Sequence, residues 1–191
     1  MSQQLIKKKL CQFLIKAVVY KELNNKEVFM LQESVIKLLN EQINKEIYSA
    51  YLYLDMANYY ADEGLDGFEH WFKLQADEEM EHAMKFRQYL LDNGLKIVLS
   101  AIADPSASYK HFSEPLKAAL EHERYVTASI HAIYEEALNK KDFRTMEFLN
   151  WFIEEQLEEE TNAEDNIRKA EIAGDKGLFM LNREFGKREE D

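Results

Sequence analysis

Phe68-Glu-His-Trp-Phe72-Lys-Leu-Gln75-Ala-Asp-Glu-Glu79-Met-Glu-His82-Ala-Met-Lys-Phe86-Arg-Gln-Tyr89 is the stretch that decides how this chain is read. Its apolar residues recur at steps of three and four, so Phe68, Phe72, Phe86 and Tyr89 share one helix face. Gln75, Glu79 and His82 fall on that same face, midway along it. A face rich in aromatics is a core face, and a carboxylate there loses its hydration unless something compensates it.

Three further stripes have the same construction. One runs Leu39, Ile43, Glu46, Ala50, Tyr53, Ala57; another Leu116, Leu120, Glu123, Thr127, Ile130, Tyr134, Ala137; the last Phe148, Phe152, Gln156, Glu159, Ala163, Asn166, Ala170. Each carries an acidic or amide residue near its middle. Turn signals at Gly64 and Lys141 separate the stripes into two hairpins. Glu46 to Glu79 and Glu123 to Gln156 are both 33 positions apart. Within each hairpin the two polar groups therefore come within three residues of one level, about 4.5 Å at 1.5 Å per residue. Four interior polar groups at matched depth need a shared cation, which predicts a metal site inside a helix bundle.

Glu79 and His82 form a Glu-x-x-His motif, whose spacing aims both side chains at one point. A carboxylate and an imidazole suit iron, manganese or zinc. The motif is weak alone and strong beside Glu46, Glu123 and Gln156. A lone buried Glu is more often a salt-bridged structural residue, and Tyr53 alone would be core packing.

Composition narrows the reading. The 191 residues suffice for one domain with a sizeable core. Six Gly and two Pro imply long helices and few loops. A net charge of −12 disfavours nucleic acid and anionic membranes as partners and suits cation traffic. Cys11 is the only cysteine, so there is no disulfide framework and no thiolate metal cluster. No apolar run reaches the roughly 18 residues of a membrane span.

Residues 1–29 stand apart. Their six Lys and two Glu give +4, against −16 for the remainder. Lys7-Lys8-Lys9 followed by apolar residues has the outline of a signal peptide, but Lys16 interrupts it and no small-residue cleavage site follows. Met30-Leu31 reads better as a natural start, with the preceding 29 residues an extension or an upstream misread start, and the chain as cytoplasmic. Helices are expected over about 32–60, 67–93, 113–139 and 143–173, with Asp66, Ser113 and Asp142 as N-caps. A short fifth helix is expected over 176–186, with Leu178, Phe179, Leu181 and Phe185 apolar. The connection 94–112 is long. Nineteen residues span about 60 Å extended, enough to run the roughly 40 Å length of a 27-residue helix, as the crossover of a bundle with matched hairpins requires.

Residues 30–186 resemble the non-haem ferritins of prokaryotic type. The resemblance rests on Leu39-Asn-Glu-Gln-Ile-Asn-Lys-Glu46, Gln75-Ala-Asp-Glu-Glu79-Met-Glu-His82, His122-Glu123 and Trp151-Phe-Ile-Glu-Glu-Gln156-Leu-Glu-Glu-Glu160. It implies an all-α ferritin-like four-helix bundle with one long crossover and a hollow 24-subunit cage. It also implies an iron-storage function with a ferroxidase centre, using O₂ or H₂O₂. By this resemblance Glu46, Glu79 and His82 ligate the first iron, and Glu79 bridges to a second iron held by Glu123. Gln156 stands beside the O₂ position, and Tyr53 is the tyrosine next to the centre. Glu78, Glu155, Glu158 and Glu159 match an additional iron site.

The fourth stripe departs from bacterioferritins, which carry a second Glu-x-x-His where this chain has Gln156 and Glu159; no haem is expected. One cysteine excludes a rubredoxin-like iron site, and the miniature ferritins place iron between subunits with other ligands. Met80 and Met84 are read as packing residues, Glu154 and Glu160 as solvated. His70, His111, His122 and His131 are read as surface or interface residues. The alternatives are a di-iron oxidase or peroxide-consuming enzyme without storage, and a metal-free scaffold bundle.

Overall fold

The computed structural model describes residues 31–189. The chain divides into two units, Met1–Gln32 and Glu33–Asp191. The basic segment 1–29, with its signal-peptide and start-site readings, lies outside the described residues. The second unit is a bundle of α1 (Glu33–Asp62), α2 (Asp66–Asp92), α3 (Glu114–Lys140) and α4 (Phe143–Phe185).

α1 and α2 form one hairpin around Gly64, whose φ of +69° is the left-handed conformation that glycine adopts without cost. α3 and α4 form the other around Lys141 (φ 57°). The carboxylate of Asp142 caps α4 by accepting from the amide of Thr145 at 3.1 Å. Cross-helix bonds fix the pairing of the hairpins. Ser34 reaches Glu136, Gln42 pairs with Ser129 and Ser49 with His122, so α1 and α3 run antiparallel. Gln75 pairs with Glu159 and Tyr89 with Thr145, so α2 and α4 do too.

That arrangement demands the long crossover. Residues 93–113 run beside α1, held by two asparagines one turn apart. Asn40 Oδ1 accepts from Val98 N at 2.7 Å, and Asn44 both donates to and accepts from the backbone of Ser100. Farther along, Tyr109 packs on Tyr59, and Tyr60 donates its hydroxyl to the Phe112 carbonyl at 2.7 Å.

α4 is broken at Gly174, with φ 52° and ψ −171°. The part after the break is the fifth helix. Leu181 and Phe185 are its buried residues, whereas Phe179, expected on the same side, is exposed. Phe185 lies 4.2 Å from Phe68, centroid to centroid, within a cluster that includes Tyr60, Phe72 and Phe112. A ring buried this way contributes roughly 2–3 kcal/mol.

The cap of α2 is a correction to the sequence reading. Asp66 is the first helical residue, not the cap, and Leu65 at the cap position supplies no side-chain bond. The cap comes from the fifth helix: Asn182 Oδ1 accepts from Gly67 N at 2.9 Å and Phe68 N at 3.2 Å. The approach is so close that a Cβ on Gly67 would sit 1.7 Å from the Asn182 carbonyl oxygen. Ser113 does occupy the α3 cap position, without a side-chain capping bond. In the third stripe Leu120 and Tyr134 are only half-buried, and Ala119, Val126 and Ile133 fill the core beside them.

Candidate metal centre

The four helices bring Glu46 (α1), Glu79 and His82 (α2), and Glu123 and Gln156 (α3 and α4) into the middle of the bundle, all buried. One ligand atom each from Glu46, Glu79 and His82 lies within 4.8 Å of the others. Two ligands about 2.1 Å from one ion are at most about 4.2 Å apart, so small side-chain rotations would close this group on a metal. Among the described residues, the buried oxygens Glu46 Oε2 and Glu79 Oε2 accept no hydrogen bond, and Glu79 Oε2 lies 3.5 Å from His82 Nδ1. An unsatisfied buried acceptor costs about 1–3 kcal/mol. Two of them aimed into one space fit a cation that completes their coordination.

The polar surroundings orient these groups. Gln42 donates to Glu46 Oε1 at 2.9 Å and accepts from Ser129 Oγ at 2.6 Å, and Lys45 in turn donates to Ser129. Glu46 is thus held by one oxygen and leaves the other for a ligand role. Glu123 accepts from both hairpins: Tyr53 on α1 donates its hydroxyl to Oε1, and Gln156 Nε2 on α4 donates to Oε2 at 3.1 Å. Glu123 is thus fastened on both oxygens while sharing the electrostatic field of Glu46 and Glu79.

The charges are poised for a cation. Burial pushes the Glu46 carboxyl up to about 7, against the pull of the Gln42 amide, and the Glu123 charge adds to the rise. Burial also pushes Glu123 up to about 7, against the bonds from Tyr53 and Gln156. Glu79 is raised well above the usual range by burial and then by Glu123, Glu46 and Glu159. Burial, with Lys85 nearby, lowers His82 to about 4, so its imidazole is neutral, the form that binds metal. A divalent ion would take the place of the protons that these carboxyls otherwise retain.

A second group adjoins the first: Glu78, His82, Glu155 and Glu159 also present atoms within 4.8 Å of one another. His82 belongs to both groups. Glu158 is exposed and stands outside this group, although the sequence reading included it. Glu160 is half-buried rather than simply solvated, accepting from Thr127 at 2.6 Å. Glu154 is exposed, and so are Met80 and Met84, which were read as packing residues.

His122, expected to be a surface or interface residue, is largely enclosed within the subunit. It bonds Ser49 Oγ at 2.7 Å and meets the Tyr53 ring edge-on at 6.0 Å. Burial lowers it to about 4. Gln42 and Gln75 were not assigned roles. Each lies four positions before a candidate ligand, Gln42 before Glu46 and Gln75 before Glu79, and that repeated spacing was the available signal. Gln75 donates to both oxygens of Glu159, at 2.9 Å each.

The family model of the ferritin-like domain matches residues 36–173. The chain belongs to the ferritin family. Among curated relatives, this ferritin is 37% identical over 159 residues to the probable bacterial non-heme ferritin-like protein of Haemophilus influenzae, covering 82% of this chain and 96% of that one. It is 37% identical over 148 residues to the bacterial non-heme ferritin of Campylobacter jejuni, covering 78% and 89%. Among solved structures, the open pore ferritin of the archaeon Archaeoglobus fulgidus superposes with a TM-score of 0.81 at 39% identity, covering 83% of this chain and 98% of that one. The bundle, its crossover and its short last helix therefore form a ferritin-like fold, and this ferritin is of the prokaryotic non-haem type.

Proposed function

We propose that this ferritin stores iron: it oxidises Fe²⁺ at a two-iron centre within the subunit and keeps the Fe³⁺ product as ferric oxide mineral. The observation that carries the reading is the pair of buried oxygens Glu46 Oε2 and Glu79 Oε2, which accept no hydrogen bond among the described residues, beside the neutral imidazole of His82. Iron is the substrate. Glu46, Glu79 and His82 hold the first Fe²⁺, Glu79 faces the second, and Glu123 holds that second ion with Gln156 beside it. Each Fe²⁺ gives up one electron to O₂ or H₂O₂, and hard carboxylate oxygens favour the Fe³⁺ product over Fe²⁺. Tyr53 keeps Glu123 in place, and Gln42 does the same for Glu46. Glu78, Glu155 and Glu159 hold an accessory iron; Glu158, which is exposed, would lie at its rim.

Storage requires assembly, and we assign the chain to a 24-subunit homo-oligomeric cage in the cytoplasm. The groove between α1 and α2 supports association. It is lined by Ile47, Tyr51, Leu54, Met80 and Ile102, several of them exposed, and such a patch is usually covered by a partner. An acidic interior attracts cations and assists mineral nucleation.

Native mass and retained iron after aerobic Fe²⁺ loading test the proposal. Tens to hundreds of irons per subunit on a particle of cage mass are expected. About two irons per subunit would instead identify a di-iron oxidase without storage, and no bound metal would leave a scaffold.

A further inference from the structure

Arg188 follows the fifth helix, and five contacts draw it against α2. His70 Nε2–H donates to its carbonyl at 2.9 Å. Its guanidinium lies over the Trp71 ring, 4.6 Å from the centroid, and donates to the Trp71 carbonyl at 3.4 Å. Nη1 donates to Gln75 Oε1 at 2.7 Å, and Nη2 to Glu78 Oε2 at 2.5 Å. The opposite end of the Gln75 amide donates to both oxygens of Glu159. One arginine therefore grips two members of the group Glu78, His82, Glu155 and Glu159: Glu78 directly, Glu159 through Gln75.

A positive charge in that position has a clear electrostatic cause. Glu78, Glu155 and Glu159 crowd three carboxyls about a neutral imidazole, and Arg188 reduces their repulsion. A divalent ion entering the same group meets Arg188 as a like charge, and needs the Glu78 carboxylate that the guanidinium engages. We propose that Arg188 is a built-in counter-cation of the accessory metal position, competing with metal for Glu78, so that metal binding releases the segment after the fifth helix. This role rests on the accessory iron position proposed for Glu78, Glu155 and Glu159. Arg188 is a positioning residue, since it acts on the metal through Glu78 and Gln75.

The surroundings make release inexpensive. Asp77, Glu81 and Glu189 line the same cavity of about 440 Å³ as Glu78 and Arg188, so a displaced guanidinium meets other carboxylates at once. Coupling of this kind is reciprocal: whatever factor the docked arginine subtracts from metal affinity, bound metal subtracts from docking.

The test uses Zn²⁺, which is redox-inert and does not quench emission as iron does. Calorimetric titration of the wild type, Arg188→Gln and Arg188→Lys, with Glu155→Gln marking the accessory step, reads the competition. Arg188→Gln is expected to tighten the Glu155-dependent step about fivefold, which is the ~1 kcal/mol of a partly exposed ion pair converted at 1.4 kcal/mol per tenfold. Arg188→Lys, which keeps the charge and loses the planar fork, is expected to fall between. In a Trp151→Phe background, Trp71 emission should change as that step saturates, and should not change in Arg188→Gln. Unchanged or weaker accessory affinity in Arg188→Gln overturns the proposal, as does a silent Trp71 in the Arg188 protein at saturation. A wild type with no Glu155-dependent step overturns the accessory site itself, and Arg188's role with it. Hydrogen exchange of amides 186–189 in the wild type, faster with Zn²⁺ if the proposal holds and unchanged if it fails, needs no Arg188 variant.

Discussion

Tyr53 donates its hydroxyl to Glu123 across seventy positions of sequence, joining the α1–α2 hairpin to the α3–α4 hairpin at the level of the candidate metal centre. The phenol is buried, and burial together with the neighbouring carboxylates raises it well above its ordinary value, so it remains a donor. Tyr53→Phe keeps the ring and removes that donor. The apoprotein should lose about 1–3 kcal/mol, the cost of an unpartnered buried acceptor, measured by urea denaturation under chelator. Coincident midpoints for the two proteins would mean that the bond contributes nothing.

His82 stands in both candidate groups, and its removal should be felt in both. His82→Ala should lower the initial Fe²⁺ oxidation rate by at least about 100-fold, the upper end of the loss caused by removing a mere supporting partner. The helical circular dichroism should be unaltered, because the side chain is replaced within a continuous helix. A variant that oxidises iron at the wild-type rate would remove His82 from the centre.

The buried ionisable groups make the apoprotein's stability depend on pH. Glu46 and Glu123, held at about 7, keep protons between pH 4.5 and 7 that the unfolded chain has released, and burial raises Glu79 and Glu159 in the same direction. Each lowers stability as pH rises through that window. His82 and His122, held at about 4, act in the opposite sense between 4 and 6.5, because there the unfolded chain binds protons that the native imidazoles refuse. Four carboxyls outweigh two imidazoles, and above pH 6.5 only the carboxyls act. The apoprotein's melting temperature should therefore fall from pH 6 to 8. Glu46→Gln should raise it at pH 8, since a carboxyl held at about 7 instead of 4.5 costs on the order of 3 kcal/mol once ionised. An apo Glu46→Gln protein no more stable than wild type at pH 8 would contradict this.

Gly67 is required by a close approach rather than by its torsion angles. Gly67→Ala places a methyl group against the Asn182 carbonyl and displaces the cap of α2. Overpacking of this kind costs about 1–3 kcal/mol. The loss should concentrate in the fifth helix, seen as faster hydrogen exchange over 175–185 with metal binding retained. Protection there equal to wild type would show that the contact is not tight in solution.

Residues 1–29 contain no His, and their two carboxylates, Glu22 and Glu27, belong to none of the helix stripes. A chain beginning at Met30 should match the full chain in native mass and in iron oxidation rate. Failure of the shorter chain to assemble would make the extension structural.

Much of this was legible in the sequence because it is local. A helix places residues three and four apart on one face, so the stripes located the helices and put Glu46, Glu79, Glu123 and Gln156 inside. The equal separation of 33 in both hairpins set their depth, since antiparallel helices leaving one turn stay in step. Gly64 and Gly174 ended helices by backbone preference, whereas Lys141 takes the left-handed conformation without glycine's freedom. The tertiary structure decided every relation that depends on how one helix is rotated and set against another. It brought Asn182 to the start of α2, enclosed His122 against Tyr53, turned Glu158 outward while Glu155 and Glu159 turned in, and laid Arg188 on Glu78. Periodicity gives the direction of a side chain to within a helix face. Which partner it meets there is set by the packing of neighbouring helices, whose rotation and depth no single stripe encodes.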